Sequence, residues 1–374
     1  MQTVLFASEN YKELDHYFQE KAVKHIFLVC GKSIRFLNLN RYFSDLEARS
    51  GIQITRFSDF HPNPDYDEIV KAVECFRRSD CDIIAAVGGG SAMDVAKCVK
   101  LYHTMKPYDG SKETHYLYQD IIPDSIPILA IPTTAGSGSE ATHYAVFYDN
   151  KIKQSVAHES ILPSAVLFDA SALDFLPEYQ RKSTMMDAFC HAVESFWSVN
   201  STAESKEYSK EAIKKILFSL DAYLKNTPEG NREMLFAAYI AGKAIRIAQT
   251  TAGHAMCYQL TNLYGIAHGH AAALVNRKLF PYTVEHPELC TDPRGKEYLR
   301  DMFQELAQAM GCETVKKSVE KFQKLWEYLG LSVPFAKSED YEKLKLSVNP
   351  VRLKNHPVQL NTESIDFLYH QILS

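Results

Sequence analysis

No two cysteines stand at C-x-x-C spacing, although eight are present, at positions 30, 75, 81, 98, 190, 257, 290 and 312. Such scatter predicts reduced thiols rather than a disulfide framework. Long apolar runs are also missing: CDIIAAVGGG and IPILAIP are each interrupted within ten residues, far short of the roughly 18 to 20 that cross a bilayer. The opening MQTVLFASENYKE has neither the basic start nor the apolar centre of a signal peptide. Together these absences predict a soluble, cytoplasmic protein with no membrane partner. Nor is positive charge in excess. With 41 Lys and Arg against 46 Asp and Glu, the net charge of -5 gives no broad basic field for nucleic acid or anionic lipid.

What is present fits a packed enzyme. The 374 residues suffice for roughly two to three domains, and 46% hydrophobic with 23% charged residues excludes disordered and fibrous chains. Up to about residue 170, short β-branched runs alternate with amphipathic stretches, the pattern of strands and crossover helices in a largely parallel α/β sheet. HIFLVC (His25 to Cys30), CDIIAAVG (Cys81 to Gly88) and PILAIPTT (Pro127 to Thr134) read as buried strands, and Ala165 to Asp169 as a short one. Between the first two, Asp65 to Asp80 places Ile69, Val70, Val73, Cys75 and Phe76 near helical spacing. Beyond Pro177 the texture becomes helical, as in Ala203 to Leu224 and Glu233 to Gln249. The expected domains are therefore an α/β domain over 1-177 and an α-helical domain over 178-374, with no low-complexity linker or internal repeat.

Two loops follow strand ends. Gly88-Gly89-Gly90-Ser91 opens a helix through Asp94 and Lys97, where bare backbone amides and a helix N-terminus can face a pyrophosphate. A tight strand-to-helix turn would use the same residues, and the pattern is not G-x-G-x-x-G. Pro132 to Glu140 (PTTAGSGSE) is the second loop, with hydroxyls suited to ribose, phosphate or a carboxamide. Two such loops on one sheet point to the crevice where open α/β folds bind nucleotides.

In the helical half, Asp187 and His191 stand four apart in MMDAFCHAVESF, on one helix face. GHAMCYQLTNLYGIAHGH adds His254, His268 and His270. Singly, each also reads as a capping or packing residue. A carboxylate with at least three imidazoles in two short clusters suits Fe(II) or Zn(II).

In this order, GGGSAMDVAK, AIPTTAGSGSE, DAFCHAVE and GHAMCYQLTNLYGIAHG make the chain resemble the iron-dependent alcohol dehydrogenase family, whose relatives include glycerol dehydrogenases and dehydroquinate synthase. The resemblance spans about residues 20 to 285. It implies a Rossmann-like dinucleotide-binding domain, an all-α metal-binding domain as in dehydroquinate synthase, and a metal and nicotinamide in the cleft between them. Carried over by position, Asp187, His191, His254 and His268 match the metal ligands. Gly89, Gly90 and Ser91, with Asp94 in the same motif, match the pyrophosphate loop. Thr133, Thr134 and Ser137 match the nicotinamide side, and Lys153 a lysine near the ribose. A homodimer is the expected assembly.

Two departures bear on function. The family's H-x-M-A-H reads differently here, with Tyr258 four residues after His254. Tyr258, His270 or bulk water then becomes the proton donor. After the first cofactor strand, where relatives preferring NAD often carry Asp, Gly31 stands before Lys32, Ser33 and Arg35. That admits NADP(H) beside NAD(H). The expected activity is metal-dependent exchange of a hydride between NAD(P)H and a small aldehyde, with alcohol as product.

AGKAIRIAQTTAGH brings Lys243, Arg246, Gln249 and Thr250 near the pocket; each cation also reads as part of an exposed face. An inward Arg246 would favour an anionic aldehyde. The departures are similar to those of phosphonoacetaldehyde reductases of this family, so phosphonoacetaldehyde is the first expected substrate. The rivals are a zinc-dependent polyol or sugar-phosphate dehydrogenase, a lyase of the dehydroquinate synthase kind, and a catalytically silent assembly protein.

Overall fold

The computed structural model describes residues 2–374. Its sheet strands are β1 (Thr3–Phe6), β2 (His25–Cys30), β3 (Gln53–Phe57), β4 (Ile83–Gly88), β5 (Ile128–Pro132) and β8 (Ala165–Phe168), with a separate antiparallel hairpin of β6 (Tyr144–Asp149) and β7 (Ile152–Ala157) between the last two. All sheet neighbours are parallel, in the order β1-β8-β5-β4-β2-β3. Every residue of β4 and β5 is buried, because a parallel sheet is covered on both faces. Helices α1 (Lys12–Glu20), α2 (Asn38–Ser50), α3 (Tyr66–Arg77) and α4 (Gly90–Tyr102) supply cover. Leu14, Phe18, Leu39 and Phe43 from α1 and α2 share a core with Ile26 and Leu28 of β2. Phe27 points the opposite way and meets Phe76 of α3 at 5.1 Å between ring centres.

This strand order sets the position of the loops. From β2 the chain goes to β3 on one side, then returns to β4 on the other. The β2 and β4 C-terminal ends thus flank a topological switch point, the place where open parallel sheets bind ligands. Gly31 follows β2, Gly89 follows β4, and Thr133 follows β5.

The helical part comprises α5 (Glu178–Trp197), α6 (Ala203–Leu224), α7 (Pro228–Ala248), α8 (Ala252–Tyr264), α9 (His268–Glu285), α10 (Gly295–Ala309), α11 (Val315–Leu329), α12 (Ser338–Ser347), α13 (Pro350–Leu353) and α14 (Thr362–Ile372). α7 starts five residues before the stretch read from sequence, because Thr227 Oγ1 caps the Gly230 amide at 3.1 Å and Pro228 sits at the first position. α5 is the central helix: from Met185 to Trp197 every residue is buried, against α6, α7 and α9. The chain forms two compact units. One holds the described residues up to Thr134 with Ser139–Leu176, and the other Ala135–Gly138 with Pro177–Ser374. All eight cysteines are free thiols, and among the described residues no helix is long and apolar enough to cross a membrane.

Candidate metal centre

From Met185 to Trp197 α5 is buried on every side, so each polar side chain in that stretch needs a partner. Asp187 and His191, one turn apart, face α8 and α9. Three imidazole nitrogens converge on Asp187 Oδ1: His254 Nε2 at 3.4 Å, His268 Nε2 at 3.8 Å and His191 Nε2 at 4.0 Å. Ligand atoms of Asp187, His254 and His268 all lie within 4.8 Å of one another. His191 stands just outside that tight set, its ring parallel to His254 at 4.4 Å. Close helix approach makes this convergence achievable. A Cβ on Gly269 would stand 2.7 Å from the Asp187 Cβ, and one on Gly253 would stand 2.4 Å from Glu194 Oε1.

Glu194, on the same helix, was not among the residues expected from sequence. Its carboxylate is fully buried and accepts from five donors. Thr251 N (2.7 Å), Thr251 Oγ1 (2.9 Å) and His254 N (3.3 Å) reach Oε2. His254 Nδ1 (2.6 Å) and Asn276 Nδ2 (2.8 Å) reach Oε1. Burial alone would raise its pKa, but the charge and hydrogen bond of His254, helped by Asn276 and Thr251, bring it down to about 2. With Nδ1–H of His254 donated to Glu194, the Nε2 lone pair faces Asp187. This is the arrangement that orients a metal-binding histidine. Behind His268, the Cys257 sulfur lies 3.7 Å from Nδ1.

Electrostatics agrees with a cation site. Burial would raise the Asp187 pKa, yet the surrounding His191, His268 and His254 hold it well below the usual carboxylate range. Burial would lower that of His254, and Glu194 with Asp187 instead raises it. His191 is pushed down by burial, against the pull of Asp187. Two buried carboxylates face imidazoles that must shed their protons to bind metal, so a divalent ion balances the charge. One oxygen and three imidazole nitrogens are a donor set that fits Fe(II) or Zn(II).

The two expected proton donors separate. Tyr258 stacks on His268 at 5.6 Å and 10°, next to the candidate ligands. Its pKa is pushed up by burial, against the effect of the nearby Arg352. His270 is turned away: Nδ1 pairs with the Tyr179 hydroxyl at 3.0 Å, and Nε2 with the Ser332 carbonyl at 2.8 Å. Both ring nitrogens are engaged by these partners. Lys243 lies over the Tyr208 ring at 3.9 Å, while Arg246 is half-buried in the last turn of α7.

In the α/β unit, α4 begins at Gly90 with no acidic residue in its first turn, leaving its N-terminus suited to an anion. The Ser91 hydroxyl accepts from Asn63 N at 3.1 Å. Thr133 N donates to the Gly88 carbonyl at 3.0 Å, joining the two loops. Lys97, fully buried, donates to the Ser139 carbonyl at 2.6 Å and the Tyr144 carbonyl at 2.8 Å, anchoring the chain after the second loop. Asp94 is raised by burial, opposed by Lys97 and Lys153. Thus Lys153 contributes charge beside Asp94. Ser137 belongs to the short segment that groups with the helical unit.

A family model described as iron-containing alcohol dehydrogenase matches residues 2–170, and one for the C-terminal part of the Fe-containing alcohol dehydrogenase family matches 182–373. Phosphonoacetaldehyde reductase of Streptomyces viridochromogenes is 29% identical over 309 residues, which cover 80% of this chain and 78% of that one. The fold is similar to that of a sulfoacetaldehyde reductase from Bifidobacterium kashiwanohense in complex with NAD+, with TM-score 0.86, 26% identity and coverage of 100% and 97%. An iron-containing alcohol dehydrogenase from Thermotoga maritima gives TM-score 0.81 and 27% identity, with coverage of 100% and 98%.

Proposed function

The chain belongs to the iron-containing alcohol dehydrogenase family, an oxidoreductase family, and from that premise we propose that it reduces a small aldehyde bearing a tetrahedral anion, phosphonate or sulfonate. NADPH or NADH is the reductant. The observation that carries the catalytic part is the convergence of three imidazole Nε2 atoms on one oxygen of Asp187, with Glu194 behind His254. For the substrate, support comes from two relatives whose names specify phosphonoacetaldehyde and sulfoacetaldehyde. Both are two-carbon aldehydes ending in a tetrahedral oxyanion.

Asp187, His191, His254 and His268 would hold the ion, which would supply Lewis acidity to a carbonyl oxygen. Glu194 fixes the His254 tautomer, so that Nε2 is free for the ion without a proton. Gly89, Gly90 and Ser91 at the α4 N-terminus take the pyrophosphate, and Thr133, Thr134 and Ser137 line the nicotinamide side. A nicotinamide bound there would supply the hydride. Tyr258 keeps its proton at neutral pH and lines the site beside His268, and water supplies the proton to the product oxygen.

The test is steady-state reduction of phosphonoacetaldehyde, sulfoacetaldehyde and acetaldehyde by Fe(II)-loaded protein, with NADH and NADPH in parallel. A kcat/KM at least about tenfold higher for the anionic aldehydes is expected from one charge-assisted contact. Equal or lower values for the anions would refute the substrate class. Turnover of a sugar phosphate without net NAD(P)H consumption would point to a lyase instead.

A further inference from the structure

Resting on the anionic-aldehyde reading, we propose that Arg352 is the residue that binds the substrate's oxyanion, presented to the site across the ring of Tyr258. Tyr258 follows His254 by one turn of α8, and its ring lies parallel to the His268 imidazole at 5.6 Å. Arg352 covers that same ring: its Cζ is 5.4 Å from the centroid, and Nη1 donates to the phenol oxygen at 3.1 Å. These two steps of 5.6 and 5.4 Å put the guanidinium no farther than about 11 Å from the centre of a candidate ligand's ring.

This arginine is fixed in place. The short α13 that carries it is capped by Asn349, whose Oδ1 accepts from Val351 N at 2.9 Å. Two residues beyond α13, Asn355 Nδ2 donates to Gln249 Oε1 at 2.9 Å and to the Thr250 carbonyl at 3.3 Å. The Asn355 carbonyl accepts from Val199 N at 3.0 Å. α13 is therefore tied onto the corner between α7 and α8, just before the helix that carries His254. Gln249 turns that corner with φ 60° and ψ 168°, a conformation rare for any residue with a side chain. Its amide oxygen is held there by Asn355.

The charge of Arg352 is unbalanced. It is half-buried, and among the described residues its recorded partner is the neutral Tyr258 rather than a carboxylate. A guanidinium has five donors in a planar fork that matches two oxygens of a phosphonate or sulfonate. Tyr258 uses one of them. An aldehyde whose oxygen lies at the Asp187 cluster would extend along Tyr258 and place its oxyanion at the remaining donors. Arg352 thereby selects for the anion without touching the reacting carbon. The residue lies 94 positions from Tyr258 in the chain, and no local motif marks it.

The experiment compares wild type, Arg352→Met, Arg352→Lys and Tyr258→Phe, all loaded with Fe(II). For Arg352→Met, KM for phosphonoacetaldehyde and sulfoacetaldehyde should rise about tenfold to hundredfold, the size of a charge-assisted hydrogen bond. Acetaldehyde kinetics should stay within about twofold. Arg352→Lys should fall between, because an ammonium keeps the charge but not the fork. Tyr258→Phe should shift the anions in the same direction by less. Calorimetric titration with 2-hydroxyethylphosphonate should show the same weakening in binding, independent of turnover. If the wild type prefers anionic aldehydes and Arg352→Met keeps that preference, the role of Arg352 is refuted while the substrate class stands. Equal loss of neutral and anionic substrates would make Arg352 a structural residue and also refute the proposal. A wild type that does not prefer anions overturns both.

Discussion

Replacing Glu194 by Gln should weaken metal binding far more than it weakens the fold. In the native protein Oε1 accepts from His254 Nδ1 at 2.6 Å and from Asn276 Nδ2 at 2.8 Å, while Oε2 accepts from Thr251 and the His254 amide. The introduced amide keeps one oxygen for the three donors at Oε2 and turns its NH2 toward His254 and Asn276. Asn276 can accommodate this by rotating, since its Oδ1 is buried without a partner. His254 cannot do so without changing tautomer. Its Nδ1 must then accept, and its proton moves to Nε2, the atom 3.4 Å from Asp187 Oδ1 that the ion requires. Disturbing such a supporting partner typically reduces metal affinity about 10- to 100-fold, or about 1.4 to 2.7 kcal/mol. Folding should lose about 1 to 3 kcal/mol for imperfectly paired buried donors. Chelator competition with Zn(II) and Fe(II) at pH 7.5 measures the first quantity, and urea unfolding of the metal-free protein the second. Wild-type metal affinity in a folded Glu194→Gln variant would refute the role assigned to this carboxylate.

Three other outcomes follow from single side chains. Gly31→Asp should reduce kcat/KM for NADPH at least about tenfold relative to NADH, since a carboxylate there repels a 2′-phosphate. The backbone accepts the change, because a Cβ would meet only Ser33 Oγ at 3.8 Å. Equal losses with both cofactors would move the adenosine pocket elsewhere. Arg246→Ala should raise KM for phosphonoacetaldehyde by about tenfold or more if its guanidinium reaches the oxyanion as a second contact; an unchanged KM assigns it to packing at the end of α7. His356, buried with its Nε2 3.1 Å from Thr283 Oγ1, has its pKa lowered by burial from 6.5 to about 4. Above pH 6.5 it is neutral in both folded and unfolded chains and costs nothing. As pH falls from 6.5 toward 4 only the unfolded chain takes the proton, so stability drops by up to about 3 kcal/mol. Urea unfolding across that window should show a shallower pH slope for His356→Gln than for wild type, and identical slopes would contradict the assignment.

Legibility in the sequence followed the distance over which each feature is determined. β2, β4 and β5 were readable because strands buried on both faces are continuous apolar runs. α6 was readable from composition, down to Ala203–Leu224. β1 and the β6–β7 hairpin escaped, being short or half-exposed, with β7 alternating between exposed and partly buried positions. The candidate ligands were marked by spacing within α5 and by the histidines of α8 and α9. Glu194 stood in the open within DAFCHAVE, but its partners Thr251 and Asn276 are 57 and 82 residues away. The surroundings of His270 were hidden for the same reason, since the Ser332 carbonyl at its ring is 62 residues distant. Lys243, near the pocket in sequence, instead lies on Tyr208 of the neighbouring helix.

The most direct measurement is removal and return of the metal. Protein stripped with a chelator should lose NAD(P)H-dependent reduction of phosphonoacetaldehyde while remaining folded. Addition of Fe(II) should restore it at one ion per chain, and His254→Ala should neither retain the ion nor recover activity. Full turnover by the metal-free protein, or a full metal complement in His254→Ala, would contradict a centre built on Asp187, His191, His254 and His268.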